Sequence, residues 1–224
     1  MRVTVRAAGW QIAESIFLIA GLALVDWYIW TQAGAILYQA WENRVFLSEL
    51  RQLRTAPAAA PRGLPAETSA GRPGRPRRDA LVGRLEIPRL GMRAMVREGD
   101  DEATLSYAVG HLPSSPLPGA SGNVALAGHR DTFFRPLQRI RANDRITLAT
   151  LRGTFEYRVE SVRIVGPGDV SVLDASAEPT LTLVTCYPFR YIGSAPKRFI
   201  VRARQVGESP PLVERASLGW SGAP

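Results

Sequence analysis

The only cysteine among the 224 residues, Cys186, stands at the end of the apolar, β-branched run TLTLVTC. A thiol attacks a carbonyl carbon when a neighbouring imidazole accepts its proton or a neighbouring cation stabilises the thiolate. His129 likewise follows a short apolar run, NVALA, and Arg198 begins a later one. A fixed cation can stabilise the oxyanion that such an attack creates. Together these three residue types could perform nucleophilic attack on a carbonyl group.

Each of these residues also has an ordinary structural explanation. A free cysteine is often a small buried hydrophobe, and His129 in the turn GHRD could lie at the surface. Arg198 follows Lys197 and precedes Arg202 in a pattern typical of a solvated strand face. Arg190 is a rival oxyanion donor, closer to Cys186 in sequence.

The elements that must position these residues are short strands separated by turn signals. Alternation of apolar and polar residues, and short apolar runs, predict strands at 81–87, 92–96, 123–127, 145–151, 154–165, 181–186 and 198–206. A short helix is predicted at 100–108, helical turns at 133–140 and 169–173, and loops at 109–122 and 166–179. Seven or eight short strands favour an all-β barrel or sandwich. Cys186 and His129 then occupy equivalent places, each at a strand end, although 57 residues separate them.

Three motifs in this order resemble the sortases, the cysteine transpeptidases of bacterial surfaces. LTLVTC (181–186) resembles the family's TLxTC strand, AGH (127–129) its histidine turn and KRFIV (197–201) its arginine strand. Together with LVGRLEI (81–87) and GHLP (110–113), the resemblance covers residues 81–206. The continuations CYPF and GSAPKR look most like the class D group.

The resemblance implies a closed β-barrel of seven to eight strands with short helices. By position it implies Cys186 as nucleophile, His129 as general acid and base, and Arg198 as the oxyanion or substrate-orienting cation. Sortases cut a sorting signal of the LPxTG type between Thr and Gly, hold the fragment as a thioester and pass it to an amine. The expected partners are a surface protein with such a signal and an amine acceptor such as a peptidoglycan precursor.

Contacts to the substrate are expected from Leu181, Thr185 and the loop 166–179. His111 is either a further substrate contact or a structural residue. No cofactor and no metal are expected, because the chain has no run of acidic residues like the calcium site of some class A sortases.

Two other functions compete with this interpretation. An L,D-transpeptidase also combines Cys, His and Arg, but it places arginine two residues after cysteine, where this chain has Pro188. A membrane-tethered binding domain could keep the barrel without turnover, although the three site residues argue against it. Nucleic-acid binding is not expected, because the net charge of +8 is not gathered in a basic stripe interleaved with aromatic residues.

The N-terminal region, 1–54, is predicted to be a membrane anchor followed by a juxtamembrane helix. Residues 12–30 are apolar enough for one span if Glu14 and Asp26 lie near its ends. Trp27, Tyr28 and Trp30 fit an interfacial aromatic belt, and Arg2 and Arg6 would keep the N-terminus cytoplasmic and the catalytic domain extracytoplasmic. A cleaved signal peptide ending near residues 33–35 and a merely amphipathic or buried helix remain alternatives.

The rest of the chain divides by composition into three predicted segments. Residues 55–80, rich in Pro, Ala, Gly and Arg, form a predicted linker. The catalytic barrel occupies 81–207, and 208–224 is a predicted flexible tail. With a single cysteine, no disulfide within the chain can stabilise the barrel.

Overall fold

Eight strands form a closed barrel in this computed structural model, which describes residues 4–55 and 76–209. In chain order the strands are β1 (Leu81–Ile87), β2 (Met92–Glu98), β3 (Val109–His111), β4 (Asn123–Ala127), β5 (Arg145–Ala149), β6 (Thr154–Val165), β7 (Thr180–Tyr187) and β8 (Lys197–Ser209). Around the barrel they follow the order β1-β2-β3-β4-β7-β8-β6-β5. The prediction of a closed barrel with seven or eight strands is therefore confirmed.

Six of the eight neighbouring pairs are antiparallel, while β2 with β3 and β4 with β7 are parallel. Apolar side chains that alternate along the strands fill the interior. The fully buried members of this core include Leu85, Ile87, Leu126, Phe134, Ile146, Leu148, Leu181, Leu183 and Val201. The interior is thus packed with side chains, and any substrate must bind to the outside of the barrel.

Two helices, α1 (Thr4–Thr55) and α2 (Glu102–Tyr107), accompany the strands, with 3-10 turns at Pro88–Leu90, Arg135–Arg139 and Val170–Leu173. The Asp101 side chain caps α2 by accepting a hydrogen bond from the Thr104 amide. Because this carboxylate also accepts from Arg78, its pKa is lowered, chiefly by the arginine. The predicted strand-free loop at 109–122 is wrong at its start, since β3 lies there.

The chain divides into two compact units, residues 1–40 and 41–224. In the first unit, α1 exposes apolar side chains over residues 16–28. Among the described residues, no helix is both long enough and apolar enough to cross a bilayer. The predicted transmembrane helix therefore gains no support from the structure, and Glu14 and Asp26 are two charges within the stretch in question.

In the second unit, the last part of α1 packs on the outside of the barrel. Phe46 is fully buried against Met95 and Ala149, and the Glu42 carboxylate pairs with Arg97 at 2.8 Å. Residues 37–53 are helical, as predicted, and Glu42 and Phe46 within them contact the barrel. The juxtamembrane position of this segment stays a prediction. Its polar and aromatic side chains have partners on β1 and β2, so the catalytic unit begins before residue 55.

Several predicted features lie outside the described residues. These are the linker over residues 56–75, the tail beyond residue 209 and Arg2 at the N-terminus. At the domain's end, β8 continues two residues past the predicted boundary at 207.

Candidate active site

The parallel pairing of β4 with β7 brings His129 and Cys186 to the same level of the barrel. Paired residues differ by a constant 57 positions, from Asn123 with Thr180 to Ala127 with Val184. The connection continues past the end of β4, because the Gly128 amide donates to the Val184 carbonyl at 3.2 Å. His129 and Cys186 also differ by 57 positions, so they lie side by side just beyond the paired segment.

The antiparallel pairing of β7 with β8 places Arg198 on the other side of the cysteine. Cys186 and Arg198 are direct partners in the register, next to the last pair formed by Tyr187 and Lys197. Side chains directly opposite in such a pair have Cβ atoms about 4.5–5.5 Å apart. Cys186 is thus flanked by an imidazole on one neighbouring strand and a guanidinium on the other.

The alternation along β7 decides which face carries the cysteine. Leu181 and Leu183 point into the barrel core, whereas Val184 packs on the outside with Val172 and Ile200. Successive side chains of a strand point to opposite faces, so Cys186 shares the outer face with Val184. The thiol is half-buried, which leaves it accessible from outside the barrel.

A groove of about 400 Å³ on this outer face contains all three residues. Val172, Val184 and Ile200 give it an apolar floor, and Leu105 and Leu112 contribute to the opposite wall. Cys186, His129 and Arg198 line the same groove, so a ligand could bury an apolar side chain on the floor and present a carbonyl to the thiol.

The charges around the site leave the cation free to act. Within the described part of the chain, Arg198 has no carboxylate within ion-pair distance, and its Nη1 donates to the carbonyls of Lys197 and Ala195 at 3.1 and 3.3 Å. The His129 Nε2 lies 3.4 Å from an oxygen of Glu102, whose side chain is 86% exposed. Solvent weakens that contact, and two further carboxylates, Asp100 and Asp169, also line the groove.

The rival cation, Arg190, lies elsewhere. It lines a separate cavity of about 440 Å³ with Asp131, Arg135 and Tyr191, and it does not border the groove that contains Cys186. Of the two predicted oxyanion donors, the structure brings only Arg198 to the cysteine.

Of the three predicted substrate-contact residues, Thr185 borders the groove, whereas Leu181 and His111 do not. Leu181 is completely buried in the barrel core, so it has no surface to offer a ligand and that prediction is wrong. Thr185 borders the groove, but it is buried and its hydroxyl donates to the Gly128 carbonyl at 2.7 Å, which fixes the histidine turn.

His111 belongs to a buried network away from the groove. Its Nδ1 lies 2.6 Å from the Glu98 carboxylate, and its Nε2 lies 3.0 Å from the Pro116 carbonyl and 3.1 Å from the Ser115 hydroxyl. Only 1% of its side chain is exposed. The structural alternative for His111 is therefore the better one, and the substrate-contact prediction is corrected.

Part of the predicted loop 166–179 does line the groove. Pro167, Asp169 and Val170 contribute to its wall, and Val172 in the 3-10 turn contributes to its floor. The sequence interpretation missed Leu105 on α2 and Leu112 after β3. The sequence shows that both residues are apolar, but whether they reach the groove depends on how α2 and β3 pack against the barrel.

No three His, Cys, Asp or Glu side chains in residues 4–55 and 76–209 cluster closely enough to hold a metal ion. The donor set around Cys186 is one thiol, one imidazole and one guanidinium, and a guanidinium has no lone pair to offer a metal. The chemistry available from these residues is nucleophilic attack and proton transfer.

Comparison with known proteins gives one consistent family. A sortase domain model matches residues 85–206. Sortase D of Bacillus subtilis (strain 168) is 37% identical over 133 residues, which cover 59% of this chain and 67% of that protein. Sortase A of Listeria monocytogenes is 32% identical over 113 residues, 49% of this chain and 50% of the relative.

Solved structures agree with the sequence relatives. A Clostridium perfringens sortase D5 transpeptidase superimposes with a TM-score of 0.52 and 29% identity, covering 57% of this chain and 79% of that one. The structure of Listeria monocytogenes sortase A gives a TM-score of 0.56 and 26% identity, over 65% of this chain and the whole of that one. The resemblance to sortases, including class D, is therefore confirmed.

Proposed function

The chain belongs to the sortase family of cysteine transpeptidases, and on that premise we propose that Cys186 cleaves an LPxTG-like sorting signal and transfers the acyl fragment to an amine. Sortases act on surface proteins that carry sorting signals and on amine nucleophiles. The bond to be cut is the amide between Thr and Gly of the signal. The observation that carries the proposal is the register that sets Cys186 between His129 and Arg198 in an open groove.

In the first half-reaction, the thiolate sulfur of Cys186 attacks the Thr carbonyl carbon while His129 carries the proton. Negative charge develops on the carbonyl oxygen, and the guanidinium of Arg198, which forms no ion pair with residues 4–55 and 76–209, stabilises it. His129 then protonates the leaving glycine amine, the C–N bond breaks, and a thioester remains on Cys186.

In the second half-reaction, an incoming amine attacks the thioester carbonyl and gives its proton to His129. The tetrahedral intermediate collapses, the C–S bond breaks and the thiolate of Cys186 is restored. A new amide then joins the surface protein to the acceptor. The proposed acceptor is an amine such as that of a peptidoglycan precursor.

The groove supports a signal that begins with an apolar residue. Its floor of Val172, Val184 and Ile200 can bury a leucine side chain, and burying one stabilises a complex by about 1.5–3 kcal/mol. The 3-10 turn at Val170–Leu173 lies over the same surface, which makes the loop 166–179 the proposed selector of the signal.

The test is mass spectrometry of the full chain after incubation with LPxT-type peptides, with and without a small amine. We expect a Cys186-linked acyl adduct without amine and a transferred product with it. Cys186→Ala should give neither, and His129→Ala should slow adduct formation by about 10²–10⁴-fold. Absence of any adduct on Cys186 across the peptides would refute the proposal.

Arg190→Ala is the matched control for Arg198→Ala. Both changes remove one guanidinium from the same polypeptide segment, but only Arg198 is the cross-strand partner of the cysteine. We expect Arg198→Ala to lower the rate by about 10²–10³-fold and Arg190→Ala to leave it nearly unchanged. Equal losses in the two variants would contradict the assigned role of Arg198.

We also propose that α1 attaches the chain to the cell membrane, with the catalytic unit on the outer side. Its support is the exposed apolar surface of that helix, formed by Ile16, Phe17, Leu18, Ile19, Leu22, Leu24, Val25, Trp27 and Tyr28. Such a surface favours contact with lipid or with another protein. Carbonate extraction of membranes should retain the chain, and protease added to cell-wall-free cells should digest the barrel. Recovery in the soluble fraction would contradict this attachment.

A further inference from the structure

The connection between β7 and β8, residues 188–196, joins the nucleophile to the proposed oxyanion donor. Within the described part of the chain, these nine residues make no backbone–backbone hydrogen bond to one another or to the rest of the barrel. At the start of the loop, Phe189 packs against the barrel core, with its ring centroid 5.0 Å from that of Phe199. Arginine side chains hold the later part, because Arg198 donates to the Ala195 carbonyl and a second arginine reaches two other carbonyls.

That second arginine is Arg130, the residue directly after His129. Its Nη2 donates to the Tyr191 carbonyl at 2.8 Å and to the Gly193 carbonyl at 3.0 Å. Its guanidinium also lies over the Tyr191 ring, 5.9 Å from the ring centroid. One side chain of the histidine turn therefore holds the middle of the loop by two hydrogen bonds and a cation–π contact.

The histidine turn itself is firmly placed. The Phe134 amide donates to the His129 carbonyl at 3.1 Å, and Phe134 is fully buried in the core. Gly128 lies so close to this ring that a Cβ there would come within 2.9 Å of it. Arg130 thus connects this rigid turn to the part of the loop that follows the packed Phe189.

We propose that Arg130 is a positioning residue for the transfer reaction, because it fixes the 188–196 loop against the histidine turn. It thereby orders the loop that leads from Cys186 to Arg198, whose guanidinium donates to the loop carbonyl of Ala195. This inference rests on the proposed function for its kinetic consequence. The contact itself is independent of that function, and so is its effect on the loop.

The geometry requires arginine in particular. A planar guanidinium can donate to two carbonyls and stack on an aromatic face at the same time. Lysine would keep the charge and could replace bonds that come from the single nitrogen Nη2, but it would lose the plane that stacks on Tyr191. The expected order of activity is therefore Arg130, then Arg130→Lys, then Arg130→Ala.

The test compares these variants in the full chain, using the LPxTG-type peptide that gives the most acyl-enzyme with the wild type. For Arg130→Ala we expect kcat to fall by about 10–100-fold, since displacements near 1 Å cost up to about 10²-fold. The KM should change by less than about twofold, because the groove floor on β7 and β8 is untouched. Arg130→Lys should recover part of kcat.

Limited trypsin digestion gives the readout that does not depend on turnover, because trypsin cleaves after Arg190, an exposed residue of this loop. In Arg130→Ala, cleavage after Arg190 should accelerate while Tm stays within about 2 °C of the wild type. Ile192→Ala is the matched control, because this side chain is fully exposed on the same loop and touches neither arginine. It should leave both kcat and loop cleavage unchanged.

Unchanged loop cleavage in Arg130→Ala, or a kcat within twofold of the wild type, would overturn the assignment. A larger fall in Tm would also overturn it, because the arginine would then support the whole fold rather than the loop. If the wild type forms no acyl-enzyme with any peptide, the proposed function fails, while loop cleavage still decides whether Arg130 holds the loop.

Discussion

Replacing Phe46 by alanine tests whether the end of α1 is part of the catalytic unit. The ring is fully buried against Met95 and Ala149, and the Arg84 guanidinium lies 5.8 Å from its centroid. Truncating a buried Phe to Ala costs about 3–5 kcal/mol. The helix lies on the outside of the barrel and can shift into the space, so the lower figure, about 3 kcal/mol, applies here.

For a domain of this size, 1 kcal/mol corresponds to about 2–4 °C in Tm, so Phe46→Ala should lower Tm by roughly 6–12 °C. The measurement is thermal unfolding of the full chain, followed by near-ultraviolet circular dichroism. Arg44→Ala is the control, because that side chain is exposed on the same turns of the helix. We expect it to shift Tm by no more than about 2 °C.

The result that would refute this reasoning is a Phe46→Ala Tm within 2 °C of the wild type. Equal protease sensitivity of residues 41–49 in the two proteins would point the same way. The helix would then be undocked in solution, and the barrel would be stable without it. A truncated chain beginning at residue 76 would in that case unfold at the wild-type temperature.

Three further changes test other parts of the structure. Asp144 accepts hydrogen bonds from Arg89 and from the Arg141 amide, and these lower its pKa in the folded state, chiefly through Arg89. A carboxylate whose pKa is lowered by folding stabilises the fold above its unfolded-state pKa, and this stabilisation is lost as the pH falls through its folded-state pKa. Asp144→Asn should therefore lower Tm at pH 7, and the two Tm curves should converge below pH 4, whereas a difference that persists at pH 2 would contradict the ion pair. His111→Ala leaves the buried Glu98 carboxylate without its partner, so urea unfolding should show a loss of about 3–5 kcal/mol; a loss under 1 kcal/mol would show that the pair contributes little. Val170→Asp, on an exposed groove residue, should raise the KM for an LPxTG-type peptide about tenfold with Tm unchanged, and an unchanged KM would exclude contact there.

Strand boundaries were predictable where sequence pattern and turn residues agree. The predicted limits of β1 and β4 match the structure, since Pro88 ends one strand and Gly122 and Gly128 flank the other. The pattern could not reveal β3, because three residues carry too little alternation. Its parallel pairing with β2 also depends on a close approach of Gly110 to the Gly99 carbonyl.

The three residues of the site could be predicted from the sequence more accurately than the side chains that line the groove around them. Residue types and the resemblance pointed to Cys186, His129 and Arg198, but only the register places them together. The error at Leu181 was avoidable. In a regular strand, residues five apart point to opposite faces, so Leu181 could not share the outer face with Cys186. The same parity turns Thr185 inward, where it holds the histidine turn.

The end of α1 shows why an apolar helix pattern does not by itself identify lipid as its partner. Glu42 and Phe46 are four residues apart and lie on one helix face, and both are buried. A bilayer core could accept the ring, but it offers no cation for a buried carboxylate. The outer face of the barrel offers a cation for the carboxylate and a contact for the ring, because Arg97 pairs with Glu42 while Arg84 lies over Phe46. An acid one helical turn before an aromatic residue therefore favours a protein surface with arginines, such as the one formed by β1 and β2.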